Sequence, residues 1–140
     1  MRTELLTKAK TILLDPKAPK DIKTQVFEIL EKQRTKQTNA SAHSHILEYA
    51  QHVYPGYNTP AHIQLIGKNL ESLERGEIDR LAIFMPPRHG KSMLCSEFFP
   101  AWYLGRNPRN FVIQATYAQE LADDFGRKVR NRLKSDDFMR

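Results

Sequence analysis

The chain has 140 residues, with 22 Lys and Arg against 16 Asp and Glu, and a formal net charge of +6. A length of this order corresponds to one domain or part of one, and 40% hydrophobic with 27% charged residues excludes a low-complexity or disordered chain. Cys95 is the only cysteine, which excludes a disulfide scaffold and a cysteine-based zinc site and makes an intracellular compartment the default expectation. The N-terminus lacks the apolar run of a secretory signal, and no stretch approaches the roughly 20 apolar residues that cross a bilayer. We therefore expect no membrane partner.

Helical patterns dominate the first half of the sequence. Apolar residues at helical spacing predict four helices, at 3–14, from Asp21 onward, at 44–53 and at 59–76. The polar stretch 32–43 is nearly free of apolar residues, which predicts a linker or a frayed helix end. We therefore expect an all-helical N-terminal segment with its linker at residues 1–43, followed by a second region at 44–140.

The second half alternates between short apolar runs and helical patterns. Residues 81–85 and 111–115 have the length and composition of fully buried strands. A helix beginning near Lys91 and interrupted at Pro100 follows the first run, and a helix with an apolar stripe follows the second: Leu121, Phe125, Val129 and Leu133. This strand, helix, strand, helix order predicts an α/β fold with a parallel sheet and crossover helices.

A phosphate-binding pattern lies between the first apolar run and its helix. Gly90-Lys91-Ser92 matches the end of G-x-x-x-x-G-K-[ST], although Met85 stands where the first glycine belongs. Gly90 lets the backbone approach phosphate oxygens, and the unpaired N–H groups of a helix start point at the same anion. Lys91 supplies a mobile positive charge, the Ser92 hydroxyl is a hard ligand of the kind that Mg²⁺ prefers, and Arg88 adds a bidentate phosphate contact. The alternative is an ordinary turn with a left-handed Gly90 and a solvated Lys91.

Two blocks of sequence are more distinctive than this spacing. The first is Phe-Met-Pro-Pro-Arg-His-Gly-Lys-Ser at 84–92, and the second is Phe-Pro-Ala-Trp-Tyr-Leu-Gly-Arg-Asn-Pro at 99–108. Together with 112–130 they resemble the N-terminal ATPase region of the large terminase subunit of tailed bacteriophages, over about residues 54–136. The resemblance implies an incomplete P-loop NTPase fold and the ATP-binding portion of a viral DNA-packaging motor, encoded by a phage or prophage. Such a motor couples ATP hydrolysis to moving double-stranded DNA into a procapsid in the host bacterial cytoplasm.

The resemblance also implies site residues and partners. ATP would be bound by Pro87, Arg88, His89, Gly90, Lys91 and Ser92, with Ser92 contacting Mg²⁺ through ATP. The family commonly lacks the first glycine, which agrees with Met85 here, and it contributes an adenine contact upstream of the loop. Gln64 or His62 is the candidate for that contact, and the alternative for Gln64 is an exposed helical glutamine. A complete subunit would carry a C-terminal nuclease, form a homo-oligomer, and bind the portal protein and the small terminase subunit.

The acidic residue that ATP hydrolysis requires is missing from the sequence. None of the acids after Ser92 follows a run of four or more apolar residues, so we find no Walker-B strand that would hold Mg²⁺ and position water. We therefore expect a chain truncated before that strand, with no catalytic residue and no ATP hydrolysis of its own.

The last predicted helix carries five basic residues within eight positions: Arg127, Lys128, Arg130, Arg132 and Lys134. Arg127, Arg130 and Lys134 are candidate DNA contacts, and the alternative is a solvated face steadied by Asp123 and Asp124 at i,i+4. Two other functions remain open at this point. One is a fragment of another P-loop ATPase, such as a helicase-like enzyme, and the other is a non-catalytic basic DNA-binding or adaptor module.

Four remaining features are expected to be structural or inert. Trp102 and Tyr103 are expected in the core rather than stacked on bases. Cys95 is expected to be a small buried hydrophobe. The five histidines have no carboxylate or cysteine at ligand spacing, which argues against zinc.

Overall fold

A computed structural model of the chain describes residue 9, residues 11–16 and residues 18–135. As far as the structure describes the chain, it forms five α-helices and one π-helical turn, called the π turn below. In chain order they are α1 (Lys20–Ser44), α2 (Ile46–Val53), α3 (Ala61–Glu74), the π turn (Met93–Phe98), α4 (Phe99–Arg106) and α5 (Gln119–Ser135). The predicted α/β fold, an incomplete P-loop NTPase with a parallel sheet and crossover helices, is wrong, because the described part of the chain is helical and contains no strand. The predicted helix at 3–14 lies mostly outside the described residues, of which 11–14 are helical.

Two compact units divide the chain, Met1–Thr38 and Asn39–Arg140. In the first unit, α1 is helical throughout the stretch in which a linker or frayed end was expected. Residues 31–38 are all exposed, so burial does not drive this part of the helix. Its Lys, Arg, Gln and Glu residues are good helix formers, and the Thr38 hydroxyl donates a hydrogen bond of 3.0 Å to the carbonyl of Arg34. The helix therefore continues through local preference where the apolar pattern ends.

Both predicted strands are irregular segments, and neither pairs with a strand among the described residues. In the first segment, Leu81 and Ile83 pack against the core. Phe84, which directly follows Ile83, is 94% exposed. In the second segment, Phe111 and Ile113 are 84% and 89% exposed. A parallel strand needs neighbours on both edges and cover on both faces, and two short segments cannot provide these for each other. A continuous apolar run predicts a strand buried on both faces, but here at most one face of each segment is covered.

Helical elements build the core of the second unit, which is Asn39–Arg140. The side chains buried most completely are Trp102, Tyr49, Phe98, Ile46, Ile63 and Leu94, from α2, α3, the π turn and α4. From α5, Phe125 and Val129 are buried and Leu133 is half-buried, which confirms the predicted stripe. Trp102 in the core is likewise confirmed, with Tyr103 half-buried beside it.

Trp102 also closes the end of α1. Its indole N–H donates to the carbonyls of Ala42 and His43, at 3.1 and 3.2 Å. The Arg106 guanidinium lies 4.9 Å from the centre of the Trp102 ring and donates to the same His43 carbonyl at 2.7 Å. Carbonyl groups in the last turn of a helix have no partner within the helix. Here α4 supplies those partners, and it also pairs with α3 through Arg106 and Glu74 at 3.1 Å.

Pro100 does not interrupt its helix, contrary to the sequence expectation. Residues 91–106 are helical without a break, and the turn before Pro100 is widened into a π-helix. Proline has no N–H to donate to the carbonyl four residues earlier and its ring crowds that carbonyl. That carbonyl belongs to Ser96, and it accepts a hydrogen bond from the Gln114 side-chain amide at 3.0 Å instead. The widened turn and the external donor together accommodate the proline.

Replacing Trp102 with alanine tests the anchoring of α4. We expect Trp102→Ala to lower the free energy of unfolding by about 3–5 kcal/mol, because it opens a cavity and removes the indole hydrogen bonds to the Ala42 and His43 carbonyls. Tyr117→Ala, at an aromatic side chain that is 94% exposed, is the control and is expected to change stability by less than about 0.5 kcal/mol. Urea unfolding followed by circular dichroism measures both, and equal losses would contradict the assignment.

Two helical glycines form a matched pair for a second test. A Cβ on Gly67 of α3 would lie 2.8 Å from Leu47 Cγ, whereas one on Gly126 of α5 meets nothing within 4 Å. Overpacking costs about 1–3 kcal/mol, and glycine in an open helix is worth about 0.5–1 kcal/mol less than alanine. Gly67→Ala is therefore expected to destabilise the protein and Gly126→Ala to stabilise it in the same urea experiment. Stabilisation of the protein by Gly67→Ala as well as by Gly126→Ala would show that the α2–α3 contact is not tight.

Candidate functional site

The loop before the π turn contains two residues with left-handed backbone. Arg88 has φ = 64° and Gly90 has φ = 81°. A positive φ is routine for glycine and uncommon for arginine. The His89 ring holds the turn locally, with Nδ1 2.8 Å from the carbonyl oxygen of Pro87. The turn alternative also predicts a left-handed Gly90, so this angle agrees with both interpretations of the loop.

Helical structure begins immediately after the loop, at Lys91. The first backbone hydrogen bond across the junction runs from Leu94 N–H to the Gly90 carbonyl, at 3.1 Å. The first N–H groups of a helix have no hydrogen-bond acceptor within the helix, and they carry partial positive charge. Phosphate groups are bound at such positions. Ser92 is exposed within this first turn, so its hydroxyl is open to a ligand.

The loop carries one cation, Arg88, and a second cation, Lys91, directly follows it. Arg88 is exposed and Lys91 is half-buried, and within the described residues neither forms an ion pair with a carboxylate. Lys91 lies close enough to Cys95 for its charge to act on the thiol. Burial nevertheless raises the pKa of Cys95 to about 11, with Lys91 acting in the opposite direction. The thiol is therefore protonated at neutral pH, which agrees with the expected inert role of Cys95.

A cavity of about 340 Å³ opens beside the loop. It is lined by Tyr57, Asn58, Pro60, His62, Ile63, Arg88, His89 and Gly90. The His62 and His89 rings meet edge to face, with centroids 5.9 Å apart. Its volume is at the lower end of the range usual for small-molecule pockets. The start of α3 and the loop thus share one concave surface.

Tyr57 is the site residue that sequence reasoning missed. Its side chain packs edge-on against Phe98, with centroids 5.1 Å apart, and only 8% of the residue is exposed. Its hydroxyl is buried and has no hydrogen-bond partner among the residues that the structure describes. Burial, and secondarily Cys95, raises the pKa of this hydroxyl. The only sequence signal was its position in a turn-rich stretch, which did not indicate contact with residues 88–90.

The two candidates for an upstream base contact are separated by the structure. His62 lines the cavity. Gln64 is exposed, and its side-chain amide donates to the carbonyl of Thr59 at 2.8 Å, one turn back at the start of α3. Gln64 thus makes a local contact, as the structural alternative for it predicted.

Metal-ligating side chains are not clustered in the described residues: no group of three or more His, Cys, Asp or Glu there has the arrangement to hold a metal ion.

Three of the five basic residues on α5 form ion pairs. Arg127 lies 2.6 Å from Asp124, and Lys128 lies 2.9 Å from Asp124 and 3.1 Å from Glu97. Arg132 lies 3.5 Å from the buried Glu97. These hydrogen bonds raise the pKa of Lys128 and lower the pKa of Asp124. Lys128 and Arg132 therefore attach α5 to the π turn.

Arg130 and Lys134 are the other two basic residues of α5. Both are exposed, and within the described residues neither forms an ion pair. They lie one helical turn apart and border a largely apolar groove of about 510 Å³ between α4, α5 and residues 111–115. Of the three predicted DNA contacts, two are thus available to an anion and Arg127 is engaged by Asp124.

Comparison with known proteins returned no relative: the chain matches no family model, and no curated protein or solved structure is significantly similar to it. The resemblance to terminase large subunits therefore rests on the sequence blocks alone. Separately, none of the helices in the described part of the chain combines the length and apolar character needed to span a membrane.

Proposed function

We propose that the chain binds the phosphates of ATP, together with Mg²⁺, at residues 87–92, and that it is the nucleotide-binding portion of a DNA-packaging motor of the terminase type. The observation that carries the proposal is a pair of cations, Arg88 in the loop and Lys91 at the beginning of the helical run 91–106, that form no ion pair with any carboxylate of the described residues. The bacterial host cytoplasm, where packaging takes place, belongs to the same proposal.

The local geometry supports phosphate as the ligand. The backbone N–H groups at residues 91–93 and the two cations all favour negative charge at one place. A Cβ at residue 90 would stand 3.4 Å from Ile63 Cδ1, and both Gly90 and Ile63 line the cavity, so glycine leaves more room beside the loop. Mg²⁺, when bound, would neutralise phosphate charge, with the Ser92 hydroxyl as its protein ligand.

Sequence blocks favour the packaging motor over a helicase-like enzyme, since the block at 99–108 belongs to the terminase resemblance. Its Trp102 and Arg106 anchor the helix that begins in the loop. The described residues include no acid placed to activate water at the loop, and we propose binding without hydrolysis for this chain.

Lys91→Ala tests the proposed nucleotide site. Loss of a charged hydrogen-bond donor to phosphate is worth about 1.5–3 kcal/mol, so the Kd for ATP with Mg²⁺ is expected to rise at least about tenfold. Lys68→Ala, at an exposed lysine on α3, is the control and is expected to leave the Kd unchanged. Isothermal titration calorimetry measures both. Equal affinity in the wild type and Lys91→Ala would favour the turn alternative.

A second candidate function is binding of double-stranded DNA by α5. The observation that favours it is the exposure of Arg130 and Lys134, one turn apart and without ion-pair partners among the described residues. Such a pair would contact phosphates without reading base sequence. This candidate is compatible with a packaging motor and also with an independent basic DNA-binding module.

Salt titration of DNA binding separates these cases. The double variant Arg130→Ala, Lys134→Ala is expected to bind DNA more weakly and to reduce the slope of log K against log salt by about 2, since it removes two phosphate contacts. Arg127→Ala, at a side chain paired with Asp124, is the matched control and should leave the slope nearly unchanged. Fluorescence anisotropy gives the slopes. A slope that ignores both ATP analogues and Lys91→Ala would indicate the independent module.

A further inference from the structure

We propose that the Tyr57 hydroxyl is a ligand-binding group of the loop cavity and donates a hydrogen bond to a phosphate oxygen of the bound nucleotide. This inference rests on the proposed nucleotide site and assigns it a contact outside residues 87–92. It requires a small shift of the turn at 88–90, which covers the hydroxyl in the present structure.

The first argument is the state of the hydroxyl itself. Tyr57 is 8% exposed, and its oxygen is buried with no hydrogen-bond partner in the described part of the chain, which is rare and costly for a polar group in a folded protein. Phenylalanine would pack equally against the ring of Phe98, which contacts only the edge or face of the Tyr57 ring. The hydroxyl therefore gives the ligand-free fold nothing that a phenyl ring would not.

The second argument is its position. The Tyr57 oxygen would lie 3.7 Å from a Cβ on Gly90, so it sits directly beneath the turn that carries the candidate phosphate contacts. Gly90 and Arg88 both have left-handed backbone, and the turn is exposed except at Gly90. Displacement of this turn by a ligand would uncover the hydroxyl from the side of the cavity.

Chemistry of the cavity lining is the third argument. The lining residues include Arg88, His62 and His89 but no aspartate or glutamate. The raised pKa of the Tyr57 hydroxyl keeps it protonated at neutral pH, and so available as a donor. A lining with a guanidinium, two imidazoles and a phenolic donor needs a ligand that brings acceptors and negative charge, which describes a phosphoryl oxygen.

Tyr57→Phe is the decisive variant, because it removes the oxygen and keeps the ring. We expect its thermal midpoint without ligand to equal or exceed that of the wild type. We also expect its Kd for ATP with Mg²⁺ to rise about 5- to 20-fold, and its Kd for inorganic pyrophosphate to rise by the same factor. Tyr54→Phe, at a half-exposed tyrosine three residues away, is the matched control and should change neither quantity. Calorimetric titration and thermal unfolding of the full chain give the readouts.

Each of the following results would overturn the inference. A Kd within twofold of the wild type would show that the hydroxyl makes no ligand contact, and a lower thermal midpoint would show that it stabilises the ligand-free fold. A weaker Kd for ATP with an unchanged Kd for pyrophosphate would place the contact on the base or ribose. If Lys91→Ala loses binding while Tyr57→Phe does not, the nucleotide site stands and this inference alone fails. If the wild type binds neither ligand, both fail.

Discussion

The hydrogen bonds from the Trp102 indole to the end of α1 are the constraint on which the second unit depends. They satisfy carbonyl groups that a helix terminus leaves unpaired, and they do so with the largest fully buried side chain of the core. Arg106 adds contacts to the same helix end and to Glu74 of α3. Since α4 is the continuation of the helical run that starts at Lys91, the position of the loop cations depends on an anchor at the far end of that run.

Helices with a buried face were predictable from the sequence, whereas the sheet was a wrong prediction. In α3 and α5 the apolar residues recur at helical spacing, and burial follows that spacing directly. In contrast, a run such as 81–85 contains no information about whether a second strand will lie beside it, because pairing is a property of the tertiary structure. Phe84 is an example, since it belongs to an apolar run and yet lies on the uncovered face. The polar part of α1 shows the opposite case, since local helix preference acts there without any burial.

The loop residues of the candidate site were readable from sequence because they are contiguous, and their roles stay predictions. Tyr57 was not readable, since it reaches Gly90 only through the packing of its ring on Phe98. The basic residues of α5 show the same limit. Nothing in their spacing distinguishes Lys128 from Arg130, and the distinction comes from Glu97, a buried acid on another element that attracts one of them. Charges that look equivalent along a helix therefore differ in what they are free to bind.

The proline at position 100 couples two parts of the chain that are separate in sequence. Proline has no N–H to donate to the carbonyl of Ser96, so this carbonyl is available to the side-chain amide of Gln114, which lies in the segment 111–115. That carbonyl belongs to the helical run whose first turn follows the loop. The segment that carries the exposed side chains of Phe111 and Ile113 is thus joined by a hydrogen bond to the same helical run that follows the loop.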